Sequence, residues 1–266
     1  MSEPTSIVLL HTWGGDARTW GPVLPFLDMG PGRRLVVPDL PGHGSRRAES
    51  FTLDAATAAV DAAISGTATG STAAGVDLVG AGLGAAIALA YTRSVAGTHP
   101  ARVRSLTLAG FPPVTGAEAE ERLRHTRTRL AAIGAATFAA GYVAQTLRTA
   151  AADRRRLLCE AMAATSAETL VATLATTLDW DRADPPGDSG HRLPTLVLRG
   201  ADDDRVSEAA ATRLAAALGG TARAVPDAGH VAYLDEPRAF AAAIVAFHAS
   251  VANGSTIDAR LTYPTA

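Results

Sequence analysis

The chain has 266 residues, 47% of them hydrophobic and only 5% aromatic, with a formal net charge of -2. That length suits one α/β domain, and the aliphatic bias requires a core built from Ala, Val and Leu. The near-neutral balance offers no basic field for nucleic acid, and the single cysteine, Cys159, excludes an internal disulfide or a cysteine-rich metal site.

All 24 basic residues are arginine. Lysine is absent, which removes Schiff-base chemistry and any lysine base, and suggests a GC-rich bacterial gene. The opening MSEPTSIVLL lacks a basic segment followed by a long apolar one, and no run of about 18 apolar residues occurs. A cytoplasmic protein with no membrane span is therefore expected.

In chain order, the first expected strand is Ser6–His11, stopped by Gly14-Gly15. A helical pattern carrying Trp20, Val23, Leu24 and Leu27 follows. Arg34–Asp39 reads as a second buried strand before the turn LPGHGS. Thr52–Ile64 has helical spacing. Gly75–Gly80 is a third strand and Leu83–Val95 an Ala-rich helix. Val103–Gly110, Leu193–Gly200 and part of Thr221–Gly229 supply three more strands, with helices at Glu208–Leu218 and Pro237–Val251. Short apolar strands alternating with helices predict a parallel sheet covered on both faces. Residues 111–190 break the rhythm: they are rich in Ala, Thr and Arg, helical in spacing and bounded by prolines. They are expected to form a helical lid between core segments 1–110 and 191–251, with 252–266 as a peripheral tail.

The densest signal is DLVGAGLGAAIALA, a strand, a Gly80-Ala81-Gly82-Leu83-Gly84 turn and a helix. It has the architecture of the nucleophile elbow G-x-S-x-G, in which small residues flank a strained central position. Here the central residue is Gly82. Four further stretches occur in matching order: LLHTWGG, PDLPGHGSR, LVLRGADDDRVS and PDAGHVAYLDEPRAF.

Together these five motifs resemble the α/β-hydrolase superfamily, whose members include lactonases, esterases and C–C bond hydrolases. The resemblance implies an α/β-hydrolase fold with Asp203 as the acid and His230 as the acid/base. It also implies an oxyanion hole from the backbone N–H groups of Trp13 and Leu83, and a departure at Thr12, where the family usually has glycine. Without a side chain at position 82, an acyl-enzyme cannot form there. A His–Asp pair beside an oxyanion hole still suits elimination, cyclisation or rearrangement of a small organic substrate in bacterial natural-product biosynthesis. The alternatives are ester or lactone hydrolysis by His-activated water, and a small-molecule binding protein without catalysis. Glycine at 82 also has a purely structural explanation, since it relieves a positive φ.

Thr12, Phe111, Phe138, Tyr142 and Trp180 are the candidate substrate-contacting residues: core packing explains Phe138, Tyr142 and Trp180 equally well, whereas Phe111 stands where the resemblance implies a pocket wall. His11 and His43 read as structural. Asp202 and Asp204 read as solvated neighbours of Asp203. The arginine run 122, 124, 127 and 129 reads as a solvated helix face with a lesser option of holding an anionic substrate. No metal or organic cofactor is expected, because no ligand cluster or phosphate loop is visible. Oligomeric state has no sequence signature here.

Overall fold

In a computed structural model of the chain, the described residues are 6–27, 33–66, 75–96, 98–111, 116–178 and 193–254. Among the described residues six strands form one sheet: β1 (Ile7–Leu10), β2 (Leu35–Val36), β3 (Val76–Ala81), β4 (Val103–Ala109), β5 (Thr195–Gly200) and β6 (Thr221–Val225). Their order is β2-β1-β3-β4-β5-β6, and every neighbouring pair is parallel. The period-two alternation of each strand divides the core. Val8, Leu10, Leu78, Leu106 and Leu108 face one layer, with α1 (Leu53–Ser65), α2 (Leu83–Val95) and α6 (Glu208–Ala217). Ile7, Leu9, Val79, Leu196 and Leu198 face the other, with α8 (Pro237–Ala252). A parallel sheet buried on both faces thus explains the near-continuous apolar strands.

Between β4 and β5 lie α3 (Gly116–Thr146), α4 (Ala152–Ala163) and α5 (Ala167–Leu178). Helix α3 breaks at Gly134, whose φ of 72° and ψ of 163° are not helical. The far end of the expected lid, with Pro185-Pro186-Gly187, lies outside the described residues, as does most of the expected tail. Among the described residues no single helix is long and apolar enough to cross a membrane.

Two expected elements differ. The helical pattern near Trp20 is two short 3-10 turns, Ala17–Trp20 and Leu24–Phe26, because Pro22 and Pro25 remove backbone donors and Gly21 weakens the segment between them. The second strand shrinks to two residues: Pro38 cannot donate to a ladder, and Asp39 turns away to accept from Ala17 N, Ser45 N and Ser45 Oγ at 2.7–2.8 Å. One short helix, α7 (Ala232–Asp235), has no counterpart in the sequence expectation.

Three histidines are buried as neutral groups. Burial pushes His11 down to about 4. His43 falls to about 3 through burial and then the neighbouring His11, and His248 to about 4 through burial. Once unfolded, each titrates near 6.5. Between these limits the unfolded chain binds more protons than the folded one, so stability falls as pH drops. Urea unfolding is therefore expected to show a midpoint that declines progressively from about pH 6.5 toward pH 4. A midpoint that stays constant across that interval would contradict the neutral state of these histidines.

Candidate active site

Strand β3 ends at Ala81, and α2 begins at Leu83. The single linking residue, Gly82, has φ 50° and ψ −109°. This conformation is costly for any residue with a Cβ, by about 1–3 kcal/mol. The turn is held by Gly82 N donating to Ala109 O at 2.8 Å and by Ala85 N and Ala86 N donating to Gly82 O. Its flanks demand minimal side chains as well: a Cβ on Gly80 would collide with the Gly84 carbonyl, and one on Gly84 with the Leu10 carbonyl. The elbow geometry expected from the motif is therefore present.

The loop after β1 closes over this turn. His11 fixes it: its Nε2 accepts from Leu40 N at 3.1 Å and its Nδ1 donates to Thr12 O at 3.0 Å. Both ring nitrogens are used, and the low basicity of the buried ring keeps it neutral, so His11 is structural. The His43 ring lies beside it, tilted by 54° with centroids 5.0 Å apart, and its Nδ1 is 3.0 Å from Pro41 O.

Thr12 stands against the elbow. An ideal Cβ on residue 82 would lie 2.7 Å from Thr12 Oγ1 and 3.7 Å from Trp13 N. The threonine hydroxyl thus occupies space next to where a side chain at 82 would begin. Among the described residues neither the Trp13 nor the Leu83 backbone N–H has an acceptor. Leu83 N is free because it opens a helix whose first N–H groups lack intrahelical partners.

The loop after β5 carries Asp203, and the loop after β6 carries His230. Nδ1 of His230 lies 3.0 and 3.2 Å from the two carboxylate oxygens of Asp203. The proton on Nδ1 is thereby assigned to that hydrogen bond, which leaves Nε2 as the free nitrogen. Burial alone would raise Asp203, but the His230 hydrogen bond and charge and the amides of Arg205 and Val206 hold it below the usual carboxylate range. Those amides donate to Oδ1 at 2.8 and 3.1 Å. Asp202 and Asp204 are exposed, so Asp203 alone is the partner of His230.

A cavity of about 240 Å³ opens where these pieces meet. Thr12, Trp13, Gly82, Leu83 and His230 form its floor, and α3 and α5 form its roof with residues including Phe138, Tyr142 and Leu174. The Trp13 ring packs edge-on against Phe138 and Tyr142 at 5.9 and 5.1 Å, and its Nε1 donates to Leu170 O at 2.9 Å. One residue therefore joins the loop after β1 to helices α3 and α5. Phe111 is not brought to the wall. It follows Gly110 into the core and is 1% exposed, because the chain turns inward after β4. Trp180 lies outside the described residues. Among the described residues no group of three or more His, Cys, Asp or Glu side chains is arranged to hold a metal ion.

Asp235 is a positioning residue that motif reading missed. Its buried carboxylate accepts from Arg148 N, Thr149 N and Ala150 N at the α3–α4 connection, and from Gly229 N beside His230. One side chain thus ties the α3–α4 connection to the loop that carries His230. Asp235→Ala is expected to lower unfolding stability by about 3 kcal/mol or more, since several buried amides lose their acceptor. A urea midpoint equal to that of the parent would show that water replaces the carboxylate fully.

The alpha/beta hydrolase family model matches residues 7–243. The chain is 30% identical over 254 residues to a pimeloyl-(acyl-carrier protein) methyl ester esterase of Aromatoleum aromaticum, covering 89% of this chain and 95% of that one. Among solved structures, an esterase from Exiguobacterium antarcticum superposes with a TM-score of 0.76 at 18% identity, covering 93% and 92% of the two chains. The enol-lactonase from Burkholderia xenovorans LB400 gives 0.69 at 21%, with the same coverage. The chain belongs to the alpha/beta hydrolase family.

Proposed function

We propose that the protein is a hydrolase of a small ester or lactone, and that it works without an acyl-enzyme at position 82. The observation that carries this reading is the His230–Asp203 pair facing a glycine at the elbow, in one cavity with the Trp13 and Leu83 amides. Glycine takes the place of the family's serine, and water takes the serine's chemical role.

In this mechanism the substrate carbonyl oxygen points at the amides of Trp13 and Leu83. Nε2 of His230 removes a proton from a water on the Gly82 side, and the water oxygen bonds to the carbonyl carbon. The two amides receive the developing negative charge. On collapse the ester C–O bond breaks, and His230 returns its proton to the leaving alkoxide. Water and ester become acid and alcohol, with His230 regenerated. Asp203 holds the tautomer and stabilises the imidazolium.

The comparisons favour this hydrolytic alternative over the elimination, cyclisation or rearrangement expected from glycine at 82 alone, because the relatives reported above are named for ester or lactone hydrolysis. The test is turnover of a panel of short-chain esters and lactones, with products identified by mass. Acid and alcohol are expected. A dehydrated or cyclised product would overturn hydrolysis in favour of a lyase, and saturable binding without product would favour a binding protein.

A further inference from the structure

The cavity roof is rich in positive charge. Arg122 and Arg129 come from α3, and Arg205 comes from the loop that carries Asp203. With His125 and His230 they make five basic side chains lining the cavity, with no Asp or Glu among the described lining residues. The three arginines are not equivalent. Arg129 lies over the Phe138 ring at 5.6 Å. Arg205 lies over Tyr142 at 4.9 Å, donates from Nη2 to Thr146 Oγ1 at 2.7 Å, and among the described residues has only the exposed Asp204 as a distant ionic partner at 4.0 Å.

Arg122 is half-buried, yet its guanidinium makes no hydrogen bond or ion pair among the described residues. Glu118, one turn earlier, is exposed and within Coulombic range but forms no ion pair with it. Burial first, and then repulsion from Arg205, pushes the Arg122 guanidinium below its ordinary value. Burying a cation costs free energy unless it is paired, and a second cation beside it adds to that cost. Both effects are relieved when an anion enters. A guanidinium matches the two oxygens of a carboxylate in a bidentate fork.

We propose that Arg122 and Arg205 form an anion subsite for a carboxylate on the substrate, remote from the scissile bond. Resting on the hydrolase reading above, this makes the preferred substrate a half-ester of a dicarboxylic acid or a carboxylate-bearing lactone. Arg205 contributes a fixed guanidinium, anchored by Thr146 and Tyr142. Arg122 contributes a fork free of protein partners among the described residues. The floor then presents the ester carbonyl to His230 while the roof holds the far end.

The test compares a half-ester with its isosteric neutral amide-ester, in the parent and in Arg122→Gln. The parent is expected to favour the carboxylate in kcat/KM by about 10- to 100-fold, the span of a charge-assisted hydrogen bond. In Arg122→Gln that ratio should fall at least about tenfold. Equal kcat/KM for the two substrates in the parent, or an unchanged ratio in the variant, would overturn the subsite. A second measurement separates this from the hydrolase reading: calorimetric binding of the monoamide of glutaric acid, which carries a carboxylate but no ester. Arg122-dependent binding without hydrolysis of any ester keeps the subsite and discards the hydrolase. Hydrolysis of neutral esters without such binding does the reverse.

Discussion

His230→Ala is expected to lower kcat on any ester the protein turns over by about 100- to 10,000-fold, the usual contribution of a positioned acid/base. The effect should fall on kcat more than on KM, because the imidazole acts in proton transfer and not in holding the ground state. Asp203→Asn is expected to lose nearly as much while folding normally. Its amide oxygen can still accept from Arg205 N and Val206 N, as Oδ1 does now. Its NH2 group, however, would face Nδ1 of His230 and force the other tautomer. Nε2 would then carry a proton and could not act as a base. Circular dichroism and urea unfolding separate this from misfolding. Retention of parental kcat in His230→Ala would remove the acid/base role altogether.

The second large effect concerns Gly82 and Thr12, which form a matched pair. Gly82→Ser introduces a Cβ that would sit 2.7 Å from Thr12 Oγ1, well inside contact distance. Relief requires Thr12 to change its χ1 rotamer, and a β-branched side chain has few to choose from. The introduced serine also has to adopt a φ of 50°. The single variant is therefore expected to acquire little nucleophilic reactivity. Thr12→Gly/Gly82→Ser removes the obstruction and should react with a fluorophosphonate at position 82 at least about tenfold faster than the single variant. It should also show a burst of acyl-enzyme with activated esters. Equal labelling of the two variants would show that Thr12 does not shape the vacated space. Absence of labelling in both would show that position 82 is not where His230 can activate a hydroxyl.

Much of this site is legible from five local motifs, since each sits at the end of a strand where a loop must deliver one group. Strand β3 with its Gly-rich turn, β5 with Asp203 and β6 with His230 all lie where apolar runs stop at turn residues. Tertiary relationships leave weaker traces. Arg122 and Arg205 belong to different elements, and on α3 the arginine run has the pattern of a solvated face. Only the packing of that helix over the cavity turns Arg122 inward. Asp235 follows the His230 motif as one acidic residue among several. Its role depends on three consecutive amides at the α3–α4 connection. Phe111 illustrates the reverse error: its position after β4 is suggestive, but the chain direction after Gly110 sends the ring into the core. The 3-10 turns near Trp20 depart from the expected helix because apolar spacing there is outweighed by the donors missing at Pro22 and Pro25.

In the proposed reaction water attacks the ester and no covalent intermediate forms on the protein. Intact-mass spectrometry of the enzyme, quenched during steady-state turnover of an activated ester, reads this out. The expected spectrum contains the unmodified chain alone, at every time point, while acid and alcohol accumulate. A species heavier by the acyl group, at Thr12 or at any other side chain and formed as fast as turnover, would contradict it.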